Sequence, residues 1–139
     1  MAGFLLDTNV VSELRKKSPN AHVLAWHRSQ SGADVFISAL VVGEVRQGIE
    51  RLRARDPHQA EALDHWLTGL VAAYRDRILP VTLDVAQEWG RLNVPPQPPP
   101  IVDGLMAATA NVHRLTLVTR NVADVARTGV ALLNPFEPA

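Results

Sequence analysis

The chain has 139 residues, enough to bury a sizeable core and too few for a second domain of ordinary size, so residues 1–139 are expected to form a single domain. Lys plus Arg and Asp plus Glu number 14 each, so the formal net charge is zero; no bulk field draws in nucleic acid or an anionic membrane, and such contacts must rest on local patches. There is no cysteine, hence no disulfide and no thiolate metal site, the opening Met1-Ala2-Gly3-Phe4-Leu5-Leu6-Asp7 lacks the basic region of a signal peptide, and no apolar run approaches the ~18–20 residues of a membrane span, so a soluble, cytoplasmic protein is expected.

Phe4-Leu5-Leu6 is a short apolar run of the kind buried on both faces of a parallel sheet, and it ends in Asp7-Thr8-Asn9. Ligands of open α/β sheets bind outside the carboxyl ends of the strands, so Asp7 stands where chemistry is done. Thr8 or Asn9 is expected to cap a helix with Val10, Val11 and Leu14 inward, ending in Arg15-Lys16-Lys17, whose charges suit a helix C-terminus. A second helix is expected over residues 20–30. Val35-Phe36-Ile37 reads as the next strand, and Ser38 caps a helix running to Arg55 with Val41, Val45, Ile49 and Leu52 on one stripe and Glu44 at its border.

Asp56-Pro57-His58-Gln59 has the form of a helix start, an N-cap acid followed by proline at the first helical position. Ile78-Leu79-Pro80-Val81 reads as a strand that its proline sends to an edge, and Asp84 as the cap of a helix to Leu92. The stretch Val94 to Pro100 holds five prolines and is a semi-rigid connector. The helix from Ile101 to Val112 carries Asp103 in its first turn and a face of Gly104, Ala107, Ala108 and Ala110, small enough for burial. Leu115-Thr116-Leu117-Val118 is a strand closed by Thr119-Arg120-Asn121. A short helix at 122–127, which holds Asp124, and a strand at 130–133 follow. Strands alternating with helices predict a three-layer α/β/α sandwich on a mostly parallel sheet.

In a parallel sheet Asp7, Glu44, Asp103 and Asp124 can all reach one mouth. Carboxylates crowded there repel until protons or a hard cation neutralise them. Oxygen-only ligation, without cysteine and with no shared spacing among His22, His27, His58, His65 and His113, selects Mg²⁺ or Mn²⁺ over zinc. Such ions turn water into a nucleophile at phosphodiesters. Thr8, Asn9, Ser38, Thr119 and Asn121 are the short polar groups suited to orienting those acids.

These residues resemble the PIN-domain nucleases, and within them the VapC toxins of the FitB-like subgroup. The resemblance spans the chain and rests on the ordered set Leu5-Leu6-Asp7-Thr8-Asn9, Ser38 with Gly43-Glu44-Val45-Arg46-Gln47-Gly48, Asp103 with Met106-Ala107-Ala108-Thr109-Ala110, Thr119-Arg120-Asn121 with Asp124, and Leu133-Asn134-Pro135-Phe136. Val125 follows Asp124 where relatives often carry an aromatic. The resemblance implies an endoribonuclease that depends on Mg²⁺, with Mn²⁺ able to substitute, dimeric and held inactive by a cognate antitoxin, with Asp7, Glu44, Asp103 and Asp124 as catalytic metal ligands. Because net charge is zero, RNA contact must use local cations, for which Arg46 and Arg120 are the candidates. Two other classes compete: an aspartyl-phosphate phosphatase or phosphotransferase, which also places an Asp after its first strand but uses an acid where this chain has Asn9, and a PIN fold that binds without catalysis.

Overall fold

Leu5 and Leu6 are neighbours in the first strand, β1 (Gly3–Leu6), and both are wholly buried. Side chains on a strand alternate between faces, so the sheet is covered on both sides. The same holds for Leu117 and Val118 in β4 (Leu115–Val118). The computed structural model describes residues 3–138; Met1 and Ala2, where the leader reading began, and Ala139 lie outside the described residues.

Five parallel strands form the sheet in the order β3-β2-β1-β4-β5, with β2 at Val35–Ser38, β3 at Ile78–Leu79 and β5 at Leu132–Leu133. The chain leaves β1 towards β2 and β3, then returns across β1 to β4 and β5. The order therefore reverses between β1 and β4, and crevices for ligands open at such a switch point. Because parallel crossovers are right-handed, the two directions of travel put their helices on opposite faces. One group comprises α1 (Thr8–Arg15), α2 (Ala21–Arg28), α3 (Ala39–Arg53) and α4 (Pro57–Tyr74). The other comprises α5 (Leu83–Leu92), α6 (Ile101–His113) and the short α7 (Val122–Val125). The three-layer reading of the sequence is thus borne out.

The main core joins Leu5, Leu6, Ile37 and Leu117 of the strands to Val10, Val23, Val41, Met106 and Ala107 of the helices. On the α2 side Trp26 packs edge-on against Phe4, ring centroids 5.1 Å apart. A second, smaller cluster of Ile49, Ala60 and Leu67 lies between α3 and α4. The small face of α6 is buried throughout, Gly104, Ala107, Ala108 and Ala110 included. Gly104 is needed there, since a Cβ would fall 2.0 Å from Asn93 Oδ1.

Several boundaries differ from expectation. The cap of α1 is Asp7 itself, in extended conformation (φ −72°, ψ 160°) with its carboxylate accepting from Thr8 N, and not Thr8 or Asn9. Thr82 caps α5 by accepting from Val85 N, so Asp84 lies inside the first turn. The edge strands β3 and β5 are two residues each, shorter than the four read from sequence, because each has one neighbour to pair with. Asp56 and Asn20 cap α4 and α2 as their sequence signals require. Among the described residues, no helix is long and apolar enough to cross a membrane.

Candidate metal centre

Register sets the floor of the site. Leu6 pairs with Ile37 on one side and with Val118 on the other, so the next residues, Ser38, Asp7 and Thr119, stand in a row along the carboxyl edge of the sheet. All three are buried polar groups in an otherwise apolar layer. Ser38 turns its hydroxyl to the N-terminus of α3, where it accepts from Leu40 N at 3.0 Å. Asp7 and Thr119 face each other across the switch point. The Thr119 hydroxyl donates to Asp7 Oδ2 at 2.7 Å, and Asn9 Nδ2 donates to the same oxygen at 3.3 Å. Thr8 N donates to Asp7 Oδ1 at 2.7 Å. Asp7 is 8% exposed, and burial of a carboxylate is sustained by such donors.

The donors are themselves held. Thr119 Oγ1 accepts from Asn121 N at 3.0 Å, and Asn9 Oδ1 accepts from Arg120 N at 3.2 Å, which ties the loop after β4 to the start of α1. Thr8, Asn9, Thr119 and Asn121 therefore form one network around Asp7, in which Asn121 takes part through its backbone. Ser38 lies beside it and serves the helix cap.

The other three acids arrive from separate elements. Glu44, exposed on α3, accepts from the Thr8 hydroxyl at 2.5 Å. Asp103 lies half-buried in the first turn of α6, and Asp124 is exposed in the first turn of α7. Burial, followed by the charges of Asp7, Asp124 and Glu44, pushes the Asp103 carboxyl up to about 6. Each of the other three acids thus raises the cost of ionising Asp103, which is the electrostatic signature of a shared mouth.

As placed, these side chains do not close into a cage: among the described residues no three His, Asp or Glu side chains are gathered tightly enough to enclose an ion. The donor set is nevertheless all oxygen and anionic, which suits a hard divalent cation and not zinc or copper. A cation would also relieve the repulsion felt at Asp103. The residues fit Mg²⁺ or Mn²⁺ by the chemistry of their donors.

The two candidate cations fare differently. Arg46 gives both guanidinium nitrogens to Asp64, at 3.0 and 2.9 Å, and one of them also to Glu50 at 3.1 Å. Its partners belong to the α3–α4 hairpin and not to the acidic mouth. Arg120 lies with its guanidinium 4.2 Å from the Phe136 ring centroid and makes no ion pair among the described residues. Sequence reasoning passed over Arg15 as a helix-end charge. In the structure it stands 5.9 Å from the Trp66 ring and lines, with Thr8, Ser12 and Glu44, a cleft of about 210 Å³. The signal was its spacing from Thr8, seven residues or two helical turns, which puts both on one face of α1.

A family model described as PIN domain matches residues 4–129. The chain is 34% identical over 140 residues to "VapC ribonuclease Y4jK" of Sinorhizobium fredii, an alignment covering 97% of this chain and 99% of that one. It is 35% identical over 138 residues to "Toxin FitB" of Neisseria gonorrhoeae, covering 95% of this chain and 97% of that one. Among solved structures, that of FitAB bound to an IR36 DNA fragment aligns with a TM-score of 0.89 at 31% identity, covering 98% of this chain and 97% of that one.

Proposed function

The chain belongs to the PIN-domain family, in its VapC-type branch, and on that premise we propose that it is a cytoplasmic endoribonuclease toxin hydrolysing RNA phosphodiesters with water, dependent on Mg²⁺ or Mn²⁺. The single observation that carries this reading is the convergence of Asp7, Glu44, Asp103 and Asp124 at the sheet's switch point, felt electrostatically at Asp103. These four would hold the cation, Asp7 and Asp103 from the buried side and Glu44 and Asp124 from the rim. When bound, such an ion supplies Lewis acidity towards water and the scissile phosphodiester.

The protein's own groups do the rest. Thr8 N, Thr119 Oγ1 and Asn9 Nδ2 lock the Asp7 carboxylate in one orientation, so little reorganisation accompanies binding. Asp103 holds its proton to a higher pH than an ordinary carboxyl, and a cation held at the mouth would favour its ionised form. Arg120, not engaged by a carboxylate among the described residues, is the better placed of the two named arginines to meet an RNA phosphate.

A cognate antitoxin and a homodimer complete the proposal. The antitoxin is supported by structures of the same fold that were solved as toxin–antitoxin complexes. The dimer is supported by an apolar groove of about 510 Å³ between α3 and α4, lined by Val42, Leu67 and Val71, with Val71 39% exposed. An aspartyl-phosphate mechanism draws no support here: the chain's two lysines, Lys16 and Lys17, follow α1, and neither comes after a late strand.

The test is RNA cleavage by the purified protein with Mn²⁺, with EDTA, and with Asp7→Asn. That substitution removes a charge and keeps the shape, so a loss of ~10²-fold or more is expected. Cleavage that persists in the variant with excess EDTA overturns the reading.

A further inference from the structure

Thr8 touches two of the four acids at once: its backbone N–H donates to Asp7 at 2.7 Å, while its hydroxyl donates to Glu44 at 2.5 Å, thirty-six residues away on another helix. The second bond is the short, charge-assisted kind formed by a hydroxyl on a carboxylate. Glu44 is exposed and has no other hydrogen-bond or ion-pair partner among the described residues. A glutamate so placed samples many rotamers in solution, and any ligand it binds must first order it. Thr8 itself is not free to wander, because it is the first residue of α1 and its χ1 is stiffened by β-branching.

We infer that Thr8 is the positioning residue for Glu44: one residue, through its N–H to Asp7 and its hydroxyl to Glu44, sets the separation of two acids that arise on different elements. The bond takes Glu44 Oε1 and leaves Oε2 for a cation. Asp7 is anchored four ways, by Thr8, Asn9, Thr119 and its own backbone N–H to Val118 O. Among the described residues Glu44 has Thr8 alone. Loss of the Thr8 hydroxyl therefore loosens one wall of the site and leaves the other intact.

This inference rests on the metal-binding reading above and is tested apart from it, by calorimetric titration of Mn²⁺ alone into the folded protein. The variants are Thr8→Val, which keeps the shape and removes the O–H, and Thr8→Ser, which restores it. Thr8→Ala stands beside valine should the helix start be disturbed. Removing the hydroxyl is expected to weaken Mn²⁺ about tenfold, as outer-layer partners of ligands do, with serine recovering most of the loss. In a Glu44→Gln background the same substitution should change affinity little, since the two act as one unit. Valine and alanine variants that bind Mn²⁺ as tightly as the parent, or that lose as much with Glu44→Gln as without it, overturn the inference while leaving the metal site standing. A parent protein that takes up no Mn²⁺ at millimolar concentration overturns the metal reading itself.

Discussion

Replacing Asp103 with Asn should stabilise the metal-free protein at neutral pH, against the usual trend for a half-buried polar residue. The Asp103 carboxyl is raised from 3.8 to about 6 by burial and then by Asp7, Asp124 and Glu44. Between those two values the folded protein holds a proton that the unfolded chain has released. Stability must therefore fall as pH rises through that window, with no cost below about pH 4 and the full cost above about pH 6. A displacement of about two pH units corresponds to about 3 kcal/mol, which solvent screening of a partly exposed group reduces to about 1–2 kcal/mol. In EDTA at pH 7.5, Asp103→Asn should then melt about 3–7 °C above the parent, and at pH 4 the two should coincide. Thermal unfolding followed by circular dichroism at both pH values is sufficient. Millimolar Mn²⁺ should narrow or reverse the gap, because only the parent retains all four carboxylates. A variant less stable than the parent at pH 7.5, or one with the same advantage at pH 4, would refute the crowding argument.

Three other outcomes follow from particular contacts. Gly104→Ala places a methyl 2.0 Å from Asn93 Oδ1, and Asn93 is tethered through Nδ2 to Pro99 O, so urea denaturation should show a loss of about 1–3 kcal/mol; an unchanged midpoint would mean that α5 and α6 part easily. Thr119→Val withdraws the 2.7 Å donor from buried Asp7 and an acceptor from Asn121 N, which should cost about 1–3 kcal/mol in the same assay, with Thr119→Ser recovering most of it. Glu13, nearly buried on α1, is held below the usual carboxylate range by the hydrogen bond from Lys16 and then by Asn20 N; its contribution is present above pH 4.5 and lost as pH falls further, so the deficit of Glu13→Gln in thermal melts should shrink from pH 7 towards pH 3.

The central strands were readable because Phe4-Leu5-Leu6, Val35-Phe36-Ile37 and Leu115-Thr116-Leu117-Val118 are short, apolar and β-branched or aromatic in part, and burial on both faces demands that composition. Asp56-Pro57 was readable as a helix start because the cap interaction spans three residues. Caps with more than one qualifying residue were misassigned: Asp7, Thr8 and Asn9 can all cap, and the choice belongs to the backbone angle at which β1 ends. Thr82 and Asp84 repeat the ambiguity, and the lengths of β3 and β5 were unreadable because an edge strand extends only as far as its one neighbour pairs with it.

For the site, residue types and their order along the chain were sufficient to nominate Asp7, Glu44, Asp103 and Asp124, since Asp7 follows a strand, Asp103 and Asp124 lie in first helical turns and Glu44 lies in the second turn of the helix after β2, all of which a parallel sheet directs to one edge. The sequence by itself thus determined which elements form, and which of them carry the acids. Only the tertiary structure decided that the Thr119 hydroxyl reaches Asp7 across 112 residues, that Thr8 rather than a neighbour takes Glu44, and that Arg46 is spent on Asp64. Those pairings depend on strand order and on the crossing of α1, α3 and α4. Both are set by the burial of apolar surface distant in sequence, which no local spacing records.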